Sequence, residues 1–198
     1  MGKDRLAAFS DGVVAIIITI MVLELKVPHG TSLADLTPVF PVFLSYVLSF
    51  VYVGIYWNNH HHMLLLARTV TGPILWANLH LLFWLSLVPF ASAWMGENQL
   101  STVPVALYGG VLIMNAVAYT ILMTLLVRHE GAESALARAM GRDLKGKISL
   151  AIYLSAIALA FVQPIASVAL YVLVAMIWFI PDRRIERTLE ACGDRGRR

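Results

Sequence analysis

Six apolar runs recur along the chain, near residues 6–27, 38–64, 71–95, 102–128, 147–163 and 165–181. Each is about long enough as a helix to cross a hydrocarbon layer of roughly 30 Å. So much apolar surface cannot all be buried within 198 residues, so much of it must face lipid. Lipid admits only elements that satisfy their own backbone hydrogen bonds. The pattern therefore predicts an all-α integral membrane protein, with six transmembrane helices in a single domain over residues 1–198. A composition of 59% hydrophobic and 14% charged residues excludes an ordinary soluble domain. The last two runs are separated only by Gln163 and Pro164. Proline continues a helix poorly, so a tight turn between two short spans is preferred there to a re-entrant pair.

The cations set the orientation, because Lys and Arg collect on cytoplasmic flanks. With the N-terminus inside, the inner segments hold Lys3, Arg5, Arg68, Arg128, Arg138, Arg142, Lys145, Lys147, Arg183, Arg184, Arg187, Arg195, Arg197 and Arg198. The outer loops hold only Lys26. This asymmetry places both termini in the cytoplasm and favours an even number of spans. The net charge of +3 follows from the same bias and calls for no nucleic acid. The basic tail over 183–198 suits anionic headgroups. A single cysteine, Cys192, excludes an intramolecular disulfide. The first run lacks a small-residue cleavage site and meets Glu24 and Lys26 instead, so it reads as a retained helix. The segment 128–147 has room for a short surface helix, and small residues in the fifth span (Ser149, Ala151, Ser155, Ala156, Ala158, Ala160) suggest close packing.

Polar residues converge at one depth. Ser10 and Asp11 lie near the cytoplasmic start of the first span; Trp57, Asn58, Asn59, His60, His61 and His62 near the cytoplasmic end of the second; Asn78, His80 and Trp84 in the inner part of the third. Two readings are open. Asp11, Ser10, Asn78 and one histidine can satisfy one another as an interhelical cluster. Alternatively, Asp11 and His60 can handle protons or ions, as in a proton-coupled secondary transporter. A membrane zinc-binding or sensor protein is a third possibility for the histidine run. Successive helical residues are about 100° apart, however, so His60, His61 and His62 cannot chelate one ion together. No native metal site is expected.

Beyond Asp11 the first span is almost purely apolar, and Ile16, Ile20 and Leu23 follow the spacing of one helix face. Thr19 sits at the edge of that stripe, its hydroxyl expected to bond back to the Ala15 carbonyl. Asp11 lies about 140° around the helix from Ile16, so acid and stripe serve different purposes. By itself the stripe could pack on a neighbour or on lipid.

The run Arg5, Phe9, Ser10, Asp11, then Ile16 through Leu23 resembles the first helix of the transmembrane protein 175 family, the lysosomal potassium channels and their prokaryotic relatives. Trp57 and His60 fit its Trp-x-x-His pattern, and Asn78 with Pro89 and Phe90 its third-helix pattern. The motifs cover about the first 95 residues, and topology and length the rest. The resemblance implies a potassium-permeable cation channel whose first helices line a central pore. The carbonyl filter Thr-Val-Gly-Tyr-Gly of ordinary potassium channels does not occur here. Ile16, Ile20 and Leu23 would form apolar rings around the pore, with Thr19 between them. Arg5, Ser10, Asp11, Trp57, His60 and Asn78 would form the network that holds the pore helix. The animal members are doubled six-helix units that pair, so one unit without a repeat implies a homotetramer in the lipid bilayer of a prokaryotic plasma membrane. Potassium would be the permeant ion, with no cofactor. Ala15 stands where the animal channels carry serine, which implies weaker selectivity. No catalytic order, metal-hydrolase helix or nucleotide loop points to an enzyme.

Overall fold

The computed structural model describes residues 2–131, 133–140 and 144–179. Its elements run α1 (Lys3–Leu23), a 3-10 helix (Leu33–Val39), α2 (Phe40–Leu66), α3 (Gly72–Ser86), α4 (Val88–Glu97), α5 (Thr102–Glu130), α6 (Ala135–Met140), α7 (Leu144–Ala160) and α8 (Pro164–Phe179). Among the described residues there is no strand. The helical segments Lys3–Leu23, Leu33–Leu66, Gly72–Glu97 and Thr102–Glu130 are long and apolar enough to cross a membrane. With 17 and 16 residues, α7 and α8 are shorter and rise only about 25 Å each.

Two boundaries differ from the sequence expectation, each for a local reason. The first span ends at Leu23 rather than near 27, since Pro28 biases Val27 away from the helical region. The third span is broken after Ser86. Pro89 has no N–H to give the Leu85 carbonyl, and the Leu87 N–H turns back to Trp84 O at 3.2 Å. The segment 128–147 does carry a surface helix, α6. Arg142, the basic tail from Arg183 and Cys192 lie outside the described residues.

Helix α1 packs against α2, α3 and α4, while α5 lies between α3 and α4 on one side and the α7–α8 pair on the other. The α7–α8 hairpin is antiparallel: three residues connect the helices, and Trp178 Nε1 near the end of α8 donates to Ser149 Oγ near the start of α7 at 2.8 Å. Of the small residues on α7, Ser149, Ala156 and Ala160 are buried with Tyr153; Ala151, Ser155 and Ala158 face outward. Where α2, α5, α7 and α8 meet, tyrosines supply both bulk and hydrogen bonds. Tyr52 donates to Tyr171 O at 2.6 Å, Tyr171 donates to Val105 O at 3.2 Å, and Tyr108 pairs with Ser49 Oγ at 3.0 Å. An apolar interior demands such pairing, since an unmet hydroxyl there keeps its full desolvation penalty.

Two glycines allow close approach. Gly96 on α4 lies so near α2 that a Cβ would sit 2.6 Å from Val42 Cα, and a Cβ on Gly109 of α5 would collide with the Tyr171 hydroxyl. By contrast, a Cβ on Gly110 would meet nothing. Gly109→Val is accordingly expected to overpack the tyrosine layer by about 1–3 kcal/mol and to lower Tm in detergent by roughly 2–10 °C. Gly110→Ala should leave thermal unfolding unchanged or slightly improved, and the pair of melting curves checks the packing.

Candidate functional site

Helix α1 has two faces of opposite character. Leu6, Ser10, Val14, Ile17 and Met21 are buried at helical spacing, the pattern of a face packed on neighbours. Ser10 on that face starts a hydrogen-bonded chain through the interior. Its hydroxyl donates to Leu6 O at 2.9 Å and accepts from Asn78 Nδ2 at 3.0 Å. His60 Nε2 lies 2.6 Å from Asn78 Oδ1. An amide oxygen can only accept, so Nε2 carries the imidazole proton. Ser10, Asn78 and His60 are 1%, 0% and 6% exposed, so three helices meet through polar groups with almost no access to water.

A second connection runs beside the first. Trp57 Nε1 donates to Asp11 Oδ1 at 2.8 Å, and the Trp57 ring stacks on His61 with centroids 5.9 Å apart. Both Asp11 and Trp57 are exposed, and no hydrogen bond joins them to the buried chain among the described residues. Ser10, Asn78 and His60 thus come together in one group, and Asp11 with Trp57 in another. Arg5 joins neither: it is exposed and makes no hydrogen bond or ion pair to a described residue. His80 and Trp84, one turn apart on α3, pair with each other at 2.9 Å instead of entering the cluster. Among the described residues no three His, Cys, Asp or Glu side chains are grouped to hold a metal.

The opposite face of α1 is bare. Ile16, Ile20 and Leu23 are 59%, 42% and 80% exposed, and Thr19 is exposed among them. The Thr19 hydroxyl donates to Ile16 O at 2.9 Å, three residues back, rather than to the Ala15 carbonyl. Neither helix face uses groups from the other, so anchoring and exposure are separable properties of one helix.

Three supporting residues lay beyond sequence reasoning. Lys3 Nζ donates to Ala67 O at 3.0 Å and Leu65 O at 3.4 Å, satisfying carbonyls at the end of α2 with the start of α1. Glu130 Oε1 accepts from the Arg68 and Thr69 N–H groups at 2.7 and 3.4 Å, tying the α2–α3 connection to α5. Asn115, fully buried, donates to Val111 O at 2.9 Å and Trp84 O at 3.3 Å, next to the break before α4. Only Asn115 carried a signal, as a lone amide in the middle of an apolar run. At the far end of α1, Lys26 pairs with Glu97 at 2.6 Å, and that hydrogen bond holds the ammonium above its usual range.

Residues 5–89 match the family model described as endosomal/lysosomal potassium channel TMEM175. A potassium channel of Chryseobacterium sp. is 56% identical over 96% of this chain and 99% of its own length. The Bos taurus endosomal/lysosomal proton channel TMEM175 is 37% identical over 37% of this chain and 18% of its own. The crystal structure of a lysosomal potassium-selective channel TMEM175 homolog from Chamaesiphon minutus matches with a TM-score of 0.78 and 28% identity. That match covers 90% of this chain and 96% of the other.

Asn78→Ala would strand His60 Nε2 in the interior and remove the bond that Ser10 Oγ accepts, and is expected to destabilise the fold by about 1–3 kcal/mol. A double-mutant cycle of Ser10→Ala with Asn78→Ala should return a coupling of about 0.6–1.7 kcal/mol, the range for hydrogen bonds between membrane helices. The same cycle for Asp11→Asn and Trp57→Phe should give less, since that pair is exposed. Equilibrium unfolding in mixed micelles measures all of these.

Proposed function

The chain belongs to the TMEM175 family, and from that membership we propose that it is a potassium-permeable cation leak channel of a prokaryotic plasma membrane. Four copies surround a central pore; each contributes six transmembrane helices, with both termini in the cytoplasm. The observation that carries this reading is the bare apolar face of α1, set opposite the face that the Ser10–Asn78–His60 chain anchors. One helix cannot enclose a path, so several subunits must share an axis. Ile16 and Leu23, seven residues apart, would form rings about 10 Å apart along it, with Thr19 and Ile20 between. Rings of branched side chains stop flow by dewetting when narrow and pass partly dehydrated ions when wider. No carbonyl filter is needed for that, and potassium is favoured because it sheds water more readily than sodium does. The short α7 and α8 cross with slight local thinning of the bilayer. Support for the inward termini comes from the cation count, fourteen inner to one outer.

A carrier using Asp11 and His60 would need a connected path between them, and the two belong to separate hydrogen-bonded groups. The name of the bovine relative makes the proton the ion to test beside potassium.

In liposomes with a potassium gradient, Ile16→Asn and Leu23→Asn should each raise flux several-fold and reduce preference for potassium over sodium. A pH-sensitive dye in the same vesicles reports protons. Unchanged flux in both variants would remove the pore from α1. Native mass measurement of the purified protein should give four subunits; a monomer would end the proposal.

A further inference from the structure

A cleft of about 400 Å³ runs between α2, α5 and α7, with Trp178 of α8 on its rim. It extends from Tyr52 to Asn59 along α2 and from Ala116 to Met123 along α5, a depth of about 10 Å in each case. Its chemistry changes along that depth. Tyr52, Ala116 and Tyr153 wall the deep end, whereas Asn59 and Lys147 stand at the other. Asn59 is near the end of α2 and Lys147 near the start of α7, so the mouth lies at the end of the molecule where α1 begins and Lys3 meets Ala67. Lys147 is exposed and makes no hydrogen bond or ion pair to a described residue, and among the described residues no acidic side chain lines the cleft.

We infer that this cleft binds an anionic phospholipid, with part of an acyl chain in the apolar slot and the phosphate against Lys147. The inference uses only the membrane location of the chain and is independent of the pore. The apolar walls along that depth suit a hydrocarbon chain, and the lysine at the mouth selects an anionic amphiphile over an apolar helix. The volume falls in the usual range for small-molecule sites, roughly 300–1,000 Å³. A cation at headgroup level above an apolar slot complements a negatively charged amphiphile, and each such lysine strengthens attraction to acidic lipid.

Purified full-length protein is given an equal mixture of dioleoyl phosphatidylglycerol and dioleoyl phosphatidylcholine, and retained lipid is counted by native mass spectrometry. Wild type should retain phosphatidylglycerol over phosphatidylcholine by about fivefold, the worth of one lysine at a headgroup. Lys147→Gln should bring the ratio close to one, and Ala116→Phe, which fills the slot, should abolish retention of both lipids. Val117→Phe, on the same wall, replaces Ala116→Phe if that protein does not fold. Equal retention of the two lipids by wild type, an unchanged ratio in Lys147→Gln, or full retention in the filled variants would overturn the site. So would a wild type that retains neither lipid, as expected if another subunit covers the cleft.

Discussion

The amide of Asn78 is the joint on which the arrangement of α1, α2 and α3 depends. Helices in a bilayer gain little from the hydrophobic effect when they associate, because lipid tails are as apolar as leucine. Register between them must come from shape and from hydrogen bonds with defined partners. Asn78 supplies a donor to Ser10 and an acceptor to His60, so one side chain sets the positions of two neighbouring helices. Any slide of α1 by one residue would turn Ser10 about 100° away and leave the amide unmatched in a medium without water.

That joint explains how α1 can leave a broad apolar face uncovered and still be held at a fixed rotation. The burial of Leu6, Val14, Ile17 and Met21 favours one side of the helix, and the polar contacts of Ser10 and Asp11 fix its height. Lys3 adds a third attachment at the end of α2. All three attachments are in the N-terminal half of the helix. The C-terminal half, from Ile16 to Leu23, is held to the described residues by packing until Lys26 reaches Glu97 past its end.

Much of this was legible in the sequence, for definable reasons. Apolar run length and the rarity of polar residues within the runs disclosed the helical membrane class, and alternating chain direction brought Ser10, His60 and Asn78 to one depth. Depth, however, does not specify rotation. Asp11 and Asn78 share a level but not a partner, because Asp11 turns toward Trp57 while Ser10 turns inward. Arg5 was grouped with them by a motif, yet a long exposed side chain near a helix start has no rotational constraint readable from spacing. The break at Pro89 shows a related limit. A proline in an apolar run is visible, but the amide that reaches the Trp84 carbonyl beside the break, that of Asn115, comes from another helix 31 residues beyond Trp84. The ties made by Lys3 and Glu130 go to backbone atoms, which no residue pattern announces.

The back-bonded hydroxyl of Thr19 has a consequence for electrical sign. Its one proton is committed to the Ile16 carbonyl, so what it offers outward is lone pairs alone. Between the exposed hydrocarbon of Ile16 and Leu23 there is thus an electron-rich spot with no donor to present. In the proposed pore such a surface would solvate a cation that has lost part of its water and give nothing to an anion. Under that proposal, a discrimination of charge sign would be built into the helix without any charged residue at that level.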